Sequence, residues 1–272
     1  MEDALLTIAV PTHNGARFLE QSIRSAWLQS KDIPEVKILV VDNASSDNTS
    51  HVLEGLKNEG MVFELHRNDL VLEAGKNYLE AVKRASGKYV WLLADDDVLV
   101  PDAVHTVVKI LKTESPGVVV SNFYCVDENL DLLGGHPHNL TVVQSRFEES
   151  DYASLRGPRS FREIGLRHIG LLSANCFLRE LYIKESGDEE IPGGFEFMYV
   201  IPAMMLDSTS VFVQRPLIYF RQYRKRWETS YNYSDTLRID WLVTPIILSK
   251  LSSRGFPSSL IAEMKFQRSL SF

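Results

Sequence analysis

The chain has 272 residues, 44% hydrophobic and 24% charged, the proportions of a soluble globular protein long enough to bury a sizeable core. Its formal net charge of −7 argues against a nucleic-acid binder, which needs clustered Lys and Arg. The only cysteines, Cys125 and Cys176, show no CxxC or Cys/His spacing, so neither a disulfide framework nor a zinc site is indicated and a reducing cytoplasm is expected.

The N-terminal MEDALLTIAV lacks a basic n-region and runs directly into a strand pattern, so no signal peptide is expected. No apolar run approaches the ~20 residues that a membrane span needs. Leu5 to Val10 reads as a strand, followed by a helix in which Phe18, Leu19, Ile23, Ala26 and Trp27 recur at helical spacing. Val36 to Val41 repeats the pattern as a fully buried strand ended by Asp42, before a helix over His51 to Leu56. Met61 to His66, Tyr89 to Leu93 and Gly117 to Val126 read as further strands, with helices over Ala74 to Ala85 and Asp102 to Lys112. Strands alternating with helices imply a parallel sheet, and ligands bind such sheets beyond the carboxyl ends of the strands. Those ends carry Thr12, Asp42, the pair Arg67 and Asn68, and the triplet Asp95, Asp96 and Asp97.

The triplet closes KYVWLLADDDVLVP, an apolar run from Lys88 to Pro101. Like charges so close are unfavourable unless something positive arrives, and a hard cation with oxygen ligands, Mg²⁺ or Mn²⁺, would supply it and carry phosphate. A solvated acidic turn with an Asp capping the helix that starts near Pro101 fits the same residues.

Beyond Asp127 the regularity fails. Asn129 to Pro158 reads as a long irregular loop, Arg162 to Ile169 as a short helix and Leu171 to Leu178 as a strand returning to the sheet. An acidic loop from Asp188 to Gly194 precedes a helix over Phe195 to Leu206, then short strands over Val211 to Val213 and Leu217 to Phe220. The remainder from Leu237 is mostly helical, with Trp241, Ile246, Ile247 and Leu251 on one apolar side.

Four segments, Pro11-Thr12-His13-Asn14-Gly15, VDNASSDNT from Val41, the stretch from His66 to Tyr89, and WLLADDDVLVPDA from Trp91, resemble the inverting family 2 glycosyltransferases of GT-A fold. The WLL-x-DDD form is most similar to the abequosyltransferase-like branch, which builds bacterial surface polysaccharides. The resemblance covers roughly the first 105 residues, in order and at the right spacing.

It implies an α/β fold with a Rossmann-like, mostly parallel sheet. Residues 1–127 would form the nucleotide-sugar half, 128–223 the acceptor half of the same domain, and 224–272 a helical extension. It implies a nucleotide site drawn from Pro11, Thr12, His13, Asn14, Asp42, Asn68, Lys76 and Asp95. Asp42, acceptor-only, would take a hydrogen bond from a ring N–H, which favours UDP or dTDP; as a turn cap it needs no ligand. Lys76 stands where many relatives carry Arg, to pair with the diphosphate, and otherwise reads as an exposed helix lysine. Metal binding falls to Asp95, Asp96 and Asp97, shifted by one from the common DxD position, which Ala94 takes.

Relatives place a Glu-Asp pair at the helix after the acceptor loop, with the Asp as catalytic base; here Glu196 matches the Glu and Phe197 replaces the Asp. Glu196 is the candidate base, with Asp188, Glu189 or Glu190 as alternatives and a helix-dipole role as the non-catalytic reading. Gln222, Arg226 and Trp227 approximate the QxxRW signature of processive synthases with one residue too many, and Arg221, Arg224, Lys225 and Arg226 form a basic loop. Ser173, Asn175 and Arg179 offer polar contacts to an acceptor.

The expected function is metal-dependent inverting transfer of a sugar from a nucleotide-diphosphate donor to a glycan or lipid-linked glycan hydroxyl. The expected setting is the cytoplasm; the apolar face of Trp241 to Leu251 fits packing on the chain's own core or on a second copy in a homodimer better than peripheral contact at the inner membrane face, which is the alternative. A nucleotidyltransferase would want a Gly-rich, basic phosphate loop that PTHNGARF lacks. A degenerate transferase acting as a nucleotide- or polysaccharide-binding assembly partner would explain Phe197.

Overall fold

The computed structural model describes residues 4–133, 152–164, 169–187, 191, 195–222, 244–259 and 261–262. β1 (Leu6–Thr12), β2 (Val36–Asp42), β3 (Glu64–Arg67) and β4 (Tyr89–Leu92) alternate with α1 (Leu19–Ser30), α2 (Thr49–Asn58) and α3 (Ala74–Arg84). They pair in parallel, β3-β2-β1-β4, as the alternation of strand and helix dictates. There follow β5 (Val98–Leu99), α4 (Ala103–Glu114), β6 (Val118–Val126), β7 (Tyr152–Arg156), α5 (Pro158–Ile164), a 3-10 turn over Leu172–Ala174, and β8 (Asn175–Leu178). α6 (Arg179–Ser186), α7 (Phe197–Asp207), β9 (Thr209–Arg221) and α8 (Thr244–Ser253) complete the described chain.

β8 inserts antiparallel between β4 and β6, and β9 runs parallel to β6 while pairing antiparallel with both β5 and β7. The sheet is therefore parallel on one side and mixed on the other. Side chains alternate between its faces with period two. Leu6, Ile8, Val10, Ile38, Val40, Tyr89 and Trp91 pack with α1, α2 and α4, whereas Ala9, Leu39, Val41, Val90 and Leu92 pack with α3, α6, α7 and α8. Both faces are covered, which explains why β1 and β2 read as continuous apolar runs instead of alternating ones.

The structure corrects several expectations in the second half. Tyr152–Arg156, inside the stretch expected to be irregular, is strand β7, and the two short strands after Val211 are one strand of 13 residues. Pairing explains both: β6 shifts register at Asn122, whose side-chain amide donates to the Gln214 carbonyl (3.1 Å) where Pro216 interrupts the ladder. Helix α6 follows β8 directly and was not predicted; its weak amphipathic pattern hides it in sequence. The apolar side of α8, for which packing on the core was the alternative to a membrane contact, is buried against α7: Ile247, Leu248 and Leu251 belong to the core, Thr244 is buried at the helix start, and Trp241 lies outside the described residues. Among the described residues no helix is long and apolar enough to cross a membrane.

Candidate active site

The carboxyl ends of β1, β2 and β4 meet, and the loops leaving them interlock. Asn43 N–H donates to the Thr12 carbonyl (2.8 Å), Asn14 N–H to the Ser45 hydroxyl (2.8 Å), and Gly15 N–H to the Thr49 hydroxyl (3.1 Å). Asn14 adopts a positive φ of 53°, a conformation Asn tolerates, and its side-chain oxygen accepts from Ser46 N–H (2.8 Å) and Asp47 N–H (3.3 Å). His13 places Nδ1 2.8 Å from the Asn43 carbonyl. Pro11 is buried within β1. His13 and Asn14 are thus exposed at the rim and also hold the β1 and β2 loops together.

Asp42 ends β2 with 1% of its surface exposed. One carboxylate oxygen accepts from Ser45 N–H (3.0 Å) and the other from the Arg67 guanidinium, which also donates to the Ser45 carbonyl (2.7 Å). Arg67, one of the polar residues at the strand ends in sequence, is the partner of the Asp42 carboxylate. β2 and β3 pair Asp42 with Arg67 directly, a relationship that strand register, invisible in composition, creates.

Three buried amides fix the approach to α3. Asn43 exchanges two hydrogen bonds with the Leu72 backbone (2.8 Å each), and Asn68 donates to Asn43 (3.0 Å) and to Asn77 (3.0 Å). Asn68, expected among the nucleotide-binding residues, has its amide donor engaged within this frame. The frame sets the first turn of α3, which carries exposed Lys76.

The acidic triplet does not converge. The Thr12 hydroxyl donates to Asp95 (2.6 Å), and Gly15 packs so close that a Cβ there would overlap both groups. Asp97, 1% exposed, accepts from the Ser173 hydroxyl and from Arg221 N–H (3.1 Å). Asp96, half-buried, is the member with solvent access. Among the described residues no three His, Cys, Asp or Glu side chains gather as a metal site, and Asp97 is tied into the scaffold by Ser173 and Arg221. Asp96, with Asp95 beside it, still suits a hard cation that keeps several waters and is completed by substrate phosphates.

Glu196 stands immediately before α7, at the entry to its first turn. Its carboxylate packs against Gly75 in the first turn of α3, where a Cβ would collide with it. Burial, reinforced by the nearby Glu196 and Tyr78, pushes the Tyr182 phenol well above its ordinary range. Phe197 is 5% exposed, edge-on to Tyr78 with centroids 6.4 Å apart, and belongs to the core. Asp188, Glu189 and Glu190 lie outside the described residues.

The three residues that offered polar contacts to an acceptor make hydrogen bonds within the scaffold, and so does Arg221 of the expected basic loop. Ser173 is fully buried, its hydroxyl accepting from Ala94 N–H (3.0 Å) and its carbonyl from the Trp91 indole (2.7 Å). Asn175 donates to the Ile169 carbonyl (3.0 Å), and Arg179 caps α3 through the Val82 (3.1 Å) and Lys83 (2.7 Å) carbonyls. Arg221, expected in a basic surface loop, is 1% exposed; Arg224, Lys225, Arg226 and Trp227 lie outside the described residues.

Buried Asp42 at the end of β2 and the acidic turn after β4 thus stand at the same carboxyl edge of the parallel strands, where such sheets bind ligands. Residues 7–175 match glycosyl transferase family 2, and the chain belongs to that family. Over 101 residues it is 31% identical to the abequosyltransferase RfbV of Salmonella typhimurium, a match covering 37% of this chain and 30% of that protein. It is likewise 31% identical over 105 residues to the GalNAc(5)-diNAcBac-PP-undecaprenol beta-1,3-glucosyltransferase of Campylobacter jejuni, covering 38% of this chain and 33% of that protein. The matches thus span about a third of the length of these curated relatives. The fold is GT-A: the structure of residues 1–349 of S. aureus TarS in complex with UDP superposes with a TM-score of 0.71 at 18% identity, over 98% of this chain and 72% of that one. The mannosyltransferase PcManGT of Pyrobaculum calidifontis, in complex with GDP-Man and Mn2+, gives a TM-score of 0.61 at 16% identity over 97% and 68%.

Proposed function

We propose that the chain is an inverting glycosyltransferase that moves a sugar from a nucleotide-diphosphate donor to a hydroxyl of a glycan or lipid-linked glycan in bacterial surface polysaccharide assembly. The observation that carries this reading is the single edge of the sheet on which Asp42, the Asp95-Asp96 turn and Glu196 beside the first turn of α3 all stand. In a chain of this family, those are the parts that a displacement at an anomeric carbon needs.

Asp42, held acceptor-only by Arg67 and Ser45 N–H, would take a ring N–H of uracil or thymine, which favours UDP or dTDP. His13 and Asn14 would border the base, and Lys76 would face the diphosphate as a point charge. Asp96, with Asp95, would hold Mg²⁺ or Mn²⁺, which supplies charge neutralisation for the departing diphosphate. Glu196 would take the proton from the acceptor hydroxyl as that oxygen attacks from the face opposite the leaving group, inverting the configuration without a covalent intermediate. A base so placed contributes a factor of ~10² to 10⁴.

The test incubates the protein with nucleotide sugars and glycan or lipid-linked acceptors and reads the anomeric configuration of the product by NMR. Inverted product from wild type, with turnover cut by ~10² to 10⁴ in Glu196→Gln, supports the reading. Retained configuration, or unaltered turnover in Glu196→Gln, overturns the mechanism or the base. A second reading, an assembly partner that binds nucleotide or polysaccharide without turnover, is favoured by Phe197, which fills the core where relatives place the base.

A further inference from the structure

The sequence poses an electrostatic problem in Asp95, Asp96 and Asp97, for which a cation from solution is one answer. The chain carries another. Arg221 ends β9, two residues beyond the antiparallel pairing of Val98 with Tyr219 and Leu99 with Ile218, and reaches the acidic turn that precedes β5. Its guanidinium donates through Nε to the Asp96 carbonyl (2.8 Å), through Nη1 to the Glu128 carbonyl and through Nη2 to Gln21 Oε1 (2.6 Å). Its backbone N–H donates to Asp97 (3.1 Å), and the guanidinium plane sits 4.2 Å from the centre of the Phe18 ring.

A buried guanidinium is costly unless its donors are satisfied, and here all three nitrogens find acceptors. The acceptors come from the acidic turn, the chain after β6 and the first turns of α1. Arg221 therefore ties the backbone of Asp96 to α1, to the chain after β6 and to the end of β9, and carries a buried positive charge into the acidic turn.

Resting on the glycosyltransferase reading above, we propose that Arg221 is a positioning residue: it holds the acidic turn in the geometry in which Asp96 meets the cation and the diphosphate. The turn is then built before metal arrives, and metal affinity depends on a side chain that does not touch the metal. Partners of this kind, which orient a metal ligand, typically account for ~10 to 100-fold in metal affinity.

The test is calorimetric titration of UDP, dTDP, CDP and GDP, each with and without Mn²⁺, on wild type, Arg221→Lys and Gln21→Leu. The readout is the ratio of nucleotide affinity with metal to that without. Arg221→Lys is expected to lower this ratio by about 10-fold while metal-free affinity stays within about twofold, and Gln21→Leu, at an exposed residue, to lower it less. A general loosening of the fold would instead weaken both affinities together, and that result overturns the proposal. So does a ratio unchanged in both variants. If Arg221→Lys fails to melt cooperatively, Gln21→Leu decides alone. Absence of any metal-enhanced binding in wild type removes the metal-dependent form of the reading above, and the inference with it.

Discussion

The carboxylate of Glu196 occupies the space that a side chain on residue 75 would fill, so Gly75 and Glu196 must be considered together. The two residues are far apart in sequence, Gly75 in the first turn of α3 and Glu196 at the N-cap of α7, and the contact brings these two helix starts together. Gly75→Ala would improve helix propensity by about 1 kcal/mol yet push the Glu196 side chain aside. The expected outcome is a melting temperature near wild type with kcat lowered by about 10²-fold, the cost of misplacing a reacting group by about 1 Å. Unchanged kcat with intact folding would show that the position of Glu196 does not matter to turnover.

Asp42→Asn keeps an oxygen for Ser45 N–H but gives up the ion pair with Arg67 and the full acceptor charge. A hydrogen bond to a charged group is worth about 1.5 to 3 kcal/mol, so nucleotide affinity is expected to fall by roughly 10 to 100-fold. Calorimetry on this variant checks it, and affinity within twofold of wild type would take Asp42 out of base recognition.

Arg254, just past α8, bridges Glu185 (2.9 and 3.0 Å) at the end of α6 and Asp207 (2.7 Å) at the end of α7. The Glu185 side chain is only 6% exposed, so Arg254→Met would strand its carboxylate. A loss of about 2 kcal/mol in urea unfolding is expected, without change in nucleotide affinity, because the clamp lies away from the strand ends.

Burial raises the Tyr89 phenol to about 12, aided by Cys176, and raises that of Tyr182 further. In the unfolded chain both ionise near pH ~10. Because the folded state binds these protons more tightly, their contribution to stability is intact below pH ~10 and is lost as pH rises toward the folded values. Urea midpoints should therefore hold between pH 8 and 9.5 and fall above pH 10, more steeply than in Tyr89→Phe. A flat profile to pH 11.5 would contradict the burial of these two phenols.

The half of the fold that reads cleanly in sequence is the half built by local repetition. Strands such as ILVV in β2 and the helices after them declare themselves by period and length, and parallel order follows from their alternation. β8 reads as a strand too, though it starts at Asn175 after a 3-10 turn and not at Leu171; β7 depends on its distant partner β9, and β5 has two residues, too few for any pattern. The same division runs through the site. Asp42 and the Asp triplet were visible because polar residues interrupt apolar strands. Arg67 and Arg221 were not, since their roles come from strand register across 25 and 125 residues respectively. Ser173 and Asn175 misled because a polar residue in an apolar run reads equally as a ligand contact or a buried hydrogen-bonding group. No local signal separates the two.

The edge formed by Asp42 and Asp96 is predicted to bind a nucleoside diphosphate together with a metal. Titration of UDP, dTDP, CDP and GDP by calorimetry, with and without Mn²⁺, on wild type and Asp96→Ala tests it. Metal-enhanced binding of UDP or dTDP by wild type, with the enhancement lost in Asp96→Ala, is the predicted result. No binding under any condition, or metal enhancement that survives in Asp96→Ala, would contradict the site described here.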